Sequence, residues 1–418
     1  MNRRSSTPEK LSLGVNIAWN TVGSLVYVVC NWLITVLVVV LGSDLSASGD
    51  LALAMSVGNV VATIVLFKVR PVQVSDLEER FSQADYVGFR FVSIAIAALF
   101  VSGYILLTIR PGSYVPVCLY VLFKMVDSFV DVYHGVDQRN DHLDYPGISQ
   151  ILRGVLMVVA FSFGLFLFHS LNLAIFLMAV ISFLVVATYD HSRASRFCDV
   201  SPSFTPVKMC QLLKTCFPGF IASLLCTMVV SFARQEYGSE YGSELLGIYA
   251  AVATPTVIVQ AVAGYIYAPL LVPIARAVRE GKHGDVARFI CKYLALLLVI
   301  VISAVVLFGI FGETALSIVY GDHIARYHQL FTPIIVATGS TAGMMFLQDV
   351  LVVYRKYFHA AFASGLSLAL CAVVVRPLLV SFGMNGISFS ITLAYCMGIG
   401  VSGMSLLLGG RSHLQSEE

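Results

Sequence analysis

The sequence predicts an all-α polytopic membrane protein of about twelve transmembrane helices in two six-helix lobes, with both termini cytoplasmic. Three observations predict it. Hydrophobic residues make up 58% of the chain and charged residues 12%, at a mean hydropathy of +0.85, whereas a soluble domain carries about 25% charged residues. About twelve apolar stretches follow one another, each near the ~20 residues that cross ~30 Å of hydrocarbon as a helix. Lys and Arg fall almost only in every second connection. With the N-terminus on the cytoplasmic side, 20 of the 26 Lys and Arg lie on that side and three lie outside, Arg110, Arg234 and Arg326. That asymmetry is the positive-inside pattern, and it sets span number and orientation together.

The spans run over 13–41, 50–68, 89–109, 113–134, 147–168, 171–190, 213–234, 245–273, 289–311, 329–353, 358–380 and 385–408. The basic segment before the first has no cleavage motif, and the apolar run behind it is too long for a signal peptide, so it reads as a retained span. The outer connections are short and carry Asp44, Asp50, Glu236, Glu240, Glu244, Glu313 and Asp322. None is long enough for a folded domain, so function must sit among the helices. Ser201-Pro202-Ser203 and Thr205-Pro206 mark a loop after the sixth span. This divides the chain into a lobe over 1–190, a cytoplasmic linker over 191–212 and a second lobe over 213–418. Six spans in each half permit a parallel repeat about an axis along the membrane normal.

Lys124, Arg153 and Arg376 are the cations inside apolar stretches, where a charge costs about 2.5–3.5 kcal/mol on insertion scales. Lys124, Asp127 and Asp131 are spaced 3 and 4 apart on one face of the fourth span. Lys124 and Asp127 pair locally, which leaves Asp131 for Arg153 of the next span. Two compatible readings are open: an ion-pair cluster joining two helices, or a polar transport cavity. Asn16, Asn20, Gly23, Tyr27 and Asn31 share a face of the first span. Because lipid cannot solvate amides, that face meets protein or water, as a helix–helix seam or as a lumen.

Arg70 and Arg90 flank the loop at the inner ends of spans two and three. Their guanidinium forks suit phosphate oxygens, and for Arg90 plain positive-inside anchoring is the stronger alternative. Ser223, Thr227, Ser231 and Arg234 form a polar stripe on span seven. Pro255 kinks span eight ahead of Gln260 and Gly264. Asp349 ends span ten at the inner surface, and Arg376-Pro377 lies near the outer end of span eleven, as an anion site or an interface anchor. The nine cysteines and nine histidines show no ligand spacing, so neither metal, disulfide nor cofactor is expected. Enzyme signatures and a nucleic-acid footprint are absent.

Four stretches carry a family resemblance: NIAWNTVGSLVYVVCNWLI at 16–34, RPVQVSD at 70–76 with FSQADYVGFR at 81–90, KMVDSFVDVYHGVDQRNDHLDYPGISQILRG at 124–154, and LLGIYAAVATPTVIVQ at 245–260 with YIYAPL at 265–270. In order and spacing the chain resembles the polysaccharide-unit flippases (Wzx-type) of the multidrug/oligosaccharidyl-lipid/polysaccharide exporter superfamily. The resemblance implies a MATE-like fold, two six-helix lobes about a cationic cavity. It implies transport of undecaprenyl-diphosphate-linked oligosaccharide units across the bacterial cytoplasmic membrane. The implied partners are that glycan lipid, the bilayer, H+ or Na+ as coupling ion, and a polymerase and chain-length regulator.

The substrate-binding role maps onto Arg153 and Lys124, with Arg70 and Arg90 near the entrance and Arg234 and Arg376 in the second lobe. At Arg234 the chain departs from the family, with Ala233 where relatives often carry proline. Asp127, Asp131, Asn16, Asn20, Asn31, Asp349 and Gln260 are the polar and coupling candidates. Three rivals are weighed against this reading. A drug or cation antiporter of the same fold predicts an acidic cavity, against Lys124 and Arg153. A polysaccharide polymerase or ligase predicts a large outer loop rich in arginine. A lipid II flippase predicts more spans than the chain has.

Overall fold

The computed structural model describes residues 11–42, 45–76, 79–267 and 270–414. The basic segment 1–10 and Asp44 lie outside the described residues. All regular structure among the described residues is helical. The chain divides into two compact units, Met1–Phe220 and Ile221–Glu418.

In the first unit the order is α1 (Leu13–Leu41), α2 (Leu45–Leu66), α3 (Val69–Ser75), α4 (Gln83–Thr108), α5 (Tyr114–Phe129), α6 (Asp131–Arg139), α7 (Asp144–Phe168), α8 (Leu171–Val185), a π-helical turn at Val186–Asp190, and α9 (His191–Ala194). Helix α10 (Pro206–Tyr241) starts in the first unit and ends in the second. The second unit continues with α11 (Ser243–Ala253), α12 (Val257–Tyr267), α13 (Leu271–Arg279), α14 (His283–Tyr320), α15 (Asp322–Ala325), α16 (Phe331–Val353), α17 (Tyr357–Phe382) and α18 (Asn385–Leu414).

Eleven of the described helical stretches are long and apolar enough to cross a membrane. Helix α14 shows why bilayer is their solvent. Leu298, Val299, Ile302, Val306, Leu307 and Ile310 are all more than half exposed, an apolar surface that water would not tolerate at this extent.

The fourth expected span, 113–134, is two helices. Helix α5 has 16 residues, a rise of about 24 Å, short of the ~30 Å hydrocarbon layer. Val130, itself in helical conformation, separates the two, and Asp131 opens α6, where a carboxylate is favoured by the helix dipole. The eighth expected span is also divided. Pro255 lies in the one-turn 3-10 helix Thr254–Thr256 between α11 and α12, so the α-helical hydrogen bonding is interrupted at the proline.

Within the first unit α1 packs on α7, α2 on α5 and α4, and α8 on both α5 and α7. The α1–α7 contact is made backbone to backbone. A Cβ on Gly23 would fall 2.4 Å from the Gly147 carbonyl oxygen, and one on Gly147 would fall 2.4 Å from that of Trp19. Small residues permit such approach between apolar helices. In the second unit the core gathers where α12, α13, α14 and α16 meet, around Ala263, Ile274, Tyr293, Phe346 and Val350.

The segment expected as a linker lies along the first unit. Ser203 donates its N–H to the Ala84 carbonyl at 3.0 Å, and its own carbonyl occupies the space beside Gly88. Ser82 caps α4 in a reciprocal box with Asp85, and Lys208 of α10 binds the same Asp85 carboxylate at 2.6 Å. The boundary between the units falls beyond this strap, inside α10 after Phe220.

We expect Gly147→Val to force α1 and α7 apart. Overpacking of this kind costs about 1–3 kcal/mol. Thermal unfolding of the detergent-solubilised variant should show a lower midpoint, whereas Gly103→Val, where a Cβ meets nothing within 4 Å, should leave it unchanged.

Candidate functional site: two cationic clusters in the first unit

Asp127, on the last turn of α5, is the centre of the first cluster. Lys124 Nζ lies 3.1 Å from Asp127 Oδ2, one turn back on the same helix. Arg153 reaches across from α7 and places Nη1 2.6 Å from Asp127 Oδ1. Tyr27 of α1 donates its hydroxyl to Oδ1 at 2.5 Å, and its ring lies under the Arg153 guanidinium at 5.2 Å. The three charged side chains are 14%, 11% and 4% exposed for Lys124, Asp127 and Arg153.

Asp131, at the first position of α6, centres the second cluster. Arg70 of α3 binds Oδ1 at 3.2 Å and Arg90 of α4 binds Oδ2 at 2.9 Å. Arg90 also donates to the Val65 carbonyl at 2.5 Å, and Arg70 donates from Nε to Gln138 at 3.0 Å.

The arrangement differs from the expected one in a definite way. Arg153 does not serve Asp131: it pairs with Asp127, while Asp131 meets Arg70 of α3 and Arg90 of α4. Arg90 is neither an interface anchor nor open to a ligand. Its side chain has no exposed surface, and it positions Asp131. Arg70 is the more open member of its cluster at 28% exposed.

Each cluster therefore sets two cations against one carboxylate, a net charge of +1 in partly desolvated surroundings. Nε of Arg153 and of Arg90 are buried without a hydrogen-bond partner. Desolvating an ion costs several kcal/mol unless its charge is compensated. An anion at the open edges, Lys124 and Arg70, would supply the missing negative charge.

The polar face of α1 is a seam. Asn16 donates to the Asp141 carbonyl and accepts from the Leu143 N–H, both at 2.7 Å, which ties α1 to the turn before α7. Ser24 donates to Gln150 of α7 at 2.9 Å. Asn31 turns back on the Tyr27 carbonyl at 2.8 Å. Asn20 is half-buried. Tyr27 was legible as part of this face, but its role beside Asp127 was not, since the partners stand 100 residues apart.

The second-unit candidates stand separately from one another. Arg234 is half-buried with its guanidinium 6.0 Å from the Tyr249 ring centre. Arg376 is 73% exposed and pairs with Glu236 at 2.5 Å, so a carboxylate of its own chain already holds it. Asp349 accepts from the Tyr267 hydroxyl at 3.1 Å, and the half-buried Gln260 donates to the Met345 sulfur at 3.2 Å.

No family model matches the chain. Over 382 residues it is 20% identical to the capsular polysaccharide biosynthesis protein CapF of Staphylococcus aureus, an alignment covering 91% of this chain and 95% of that protein. Its structure superposes on lipid II flippase MurJ in an inward closed conformation with a TM-score of 0.70 and 10% identity, covering 92% and 87% of the two chains. A mutant of the Vibrio cholerae MATE transporter VcmN matches with a TM-score of 0.63 and 14% identity, over 97% and 96%. An inward-facing multidrug resistance MATE family transporter of the MOP superfamily matches at 0.64 and 12%, over 92% and 94%. The chain shares the fold of these solved transporters and of MurJ. It is a multi-pass membrane protein.

Asp127→Asn removes the one carboxylate that Lys124 and Arg153 share. Stranding buried cations in this way costs about 3–5 kcal/mol. We expect a marked fall in the unfolding midpoint of the purified protein, partly recovered by adding Arg153→Met, which removes one of the two stranded charges.

Proposed function

We propose that the protein flips undecaprenyl-diphosphate-linked oligosaccharide units from the inner to the outer leaflet of the bacterial cytoplasmic membrane, by alternating access. The observation that carries this reading is the two-to-one ratio of cations to carboxylates in both clusters. A diphosphate brings the negative charge that each cluster lacks, and guanidinium and ammonium groups bind it by charge-assisted hydrogen bonds. In this reading Arg153 and Lys124 hold the diphosphate, Arg70 receives it, and Asp127, Asp131 and Arg90 keep those cations in place. The relation to a capsular polysaccharide biosynthesis protein supports a glycan-lipid substrate. Export of cationic drugs is disfavoured, because a cation would meet a site already in positive excess.

Any ligand-driven conversion between inward and outward states requires different affinity for the two. The clusters supply a means for it, since small shifts of α5 or α7 alter how far Asp127 screens Arg153 from the ligand. The reading needs no catalytic group, and it assigns none.

Arg153→Ala leaves Lys124 and Asp127 as a neutral pair, so this variant should fold. In a strain lacking the native gene, diphosphate-linked repeat units should accumulate on the cytoplasmic leaflet. The wild-type chain should restore outer-leaflet labelling, and Arg153→Ala at equal abundance should not. Repeat units that reach the outer leaflet without the protein, yet stay unpolymerised, would overturn the flippase reading in favour of a polymerase or ligase.

A further inference from the structure

Helix α6 carries a second carboxylate, a buried one, that neither cluster uses. Asp137 lies six residues after Asp131 on this short helix. Its side chain has no exposed surface, and both carboxylate oxygens are buried without a hydrogen-bond partner. Nearby Asp190 is a contrast. Also buried, it accepts from Ser149 at 3.0 Å through Oδ2 and contacts His134 Nε2 at 3.2 Å through Oδ1. Asp190 ends the π-helical turn Val186–Asp190, a local distortion that recurs at functional positions.

The groups that act on Asp137 come from each neighbouring element. Asp190 and Arg193 belong to the turn after α8 and to α9, Asp144 to α7, and Arg70 to α3. Cys198, on the segment after α9, feels the charge of Asp137 in turn. Arg90 of α4 and the Lys124–Asp127 pair of α5 are engaged in the clusters above. His142, in the turn before α7, pairs with Asp144 at 3.3 Å. Two carboxylates thus oppose ionisation of Asp137, and two guanidinium groups favour it. Burial is the largest influence, and together with Asp190 and Asp144 it pushes the Asp137 carboxyl up to about 8. An orphaned carboxylate in this position is far less costly as a neutral acid.

We propose that Asp137 is a proton-binding site whose occupancy is linked to anion binding at the Arg70–Arg90–Asp131 cluster. The link runs through Arg70, which touches Asp131 and Gln138 on α6 and whose charge stabilises ionised Asp137. An anion bound to Arg70 offsets that charge, and Asp137 then takes up a proton more readily. By reciprocity, a proton on Asp137 strengthens anion binding. The site would make the proton the coupling ion, and in that respect it rests on the flippase reading.

The sign for stability follows from the raised value. An unfolded Asp ionises near 3.9, so the stabilisation from neutral Asp137 is complete below that pH. It is lost as pH rises towards about 8, because the unfolded chain releases its proton first. Asp137→Asn, neutral at every pH, should flatten this part of the stability profile.

The test is an infrared titration of the purified full-length protein in lipid nanodiscs. The wild type should lose a buried carboxylic-acid band with a midpoint near 8, and Asp137→Asn should lack that band. A wild-type protein with no carboxylic acid titrating there, or the same band in Asp137→Asn, overturns the proton site without reference to any ligand. The link is then measured with undecaprenyl diphosphate as probe. Its affinity should fall about fivefold or more as pH rises through the midpoint, with net proton uptake on binding, and both effects should vanish in Asp137→Asn. Binding with no proton uptake in the wild type overturns the link. Failure of the probe to bind at any pH overturns both the link and the diphosphate reading, with the infrared titration still deciding the proton site.

Discussion

The first unit depends on one electrostatic constraint: a carboxylate withdrawn from water must be answered by cations, and here each of two is answered twice. Asp127 draws together α1, α5 and α7 through Tyr27, Lys124 and Arg153. Asp131 draws together α3, α4 and α6 through Arg70 and Arg90. Apolar helices in lipid gain little from burying one another, so packing and polar contacts decide which face meets which. Ion pairs of this kind are weak as net stabilisers but strict about geometry, because loss of one partner strands the other. The residues that would attract an anion are therefore the same ones that hold six helices in register.

This double use explains why the members of a cluster are unequal. Arg90 is sealed, with the Val65 carbonyl and Asp131 as its partners. Arg70 keeps an open flank. Lys124 is more open than Arg153, which stacks on Tyr27. In each pair one cation is the more enclosed and the other the more open.

Much of this fold was legible in the sequence, because the bilayer imposes length and charge rules on every span. The positions of the apolar stretches, the polar face from Asn16 to Asn31 and the pairing of Lys124 with Asp127 all followed from spacing and transfer cost. The break at Val130 did not. A heptad-like spacing of 124, 127 and 131 reads as one face only if the helix continues, and nothing local announces that α5 stops 16 residues after it begins. Arg153, expected to serve Asp131, pairs with Asp127. Asp137 escaped notice for a related reason: it sits among Asp141, His142 and Asp144 in a stretch that reads as a solvated connection, and only tertiary packing shows that its carboxyl is dry. Asp190 was hidden likewise at the end of a span, since a π turn has no sequence signature comparable to a proline or a cap.

The strap formed by Ser203 and Lys208 against α4 fixes the start of α10 within the first unit. Once Lys208 is anchored to Asp85, the chain passes into the second unit as the continuous helix α10. Pro218 lies further along that helix, where its ring leaves the carbonyl one turn back without its helical donor. The first turns of α10 are thus clamped to α4 by an ion pair at Lys208, while the turn before Pro218 lacks one of the hydrogen bonds that stiffen the rest of the helix.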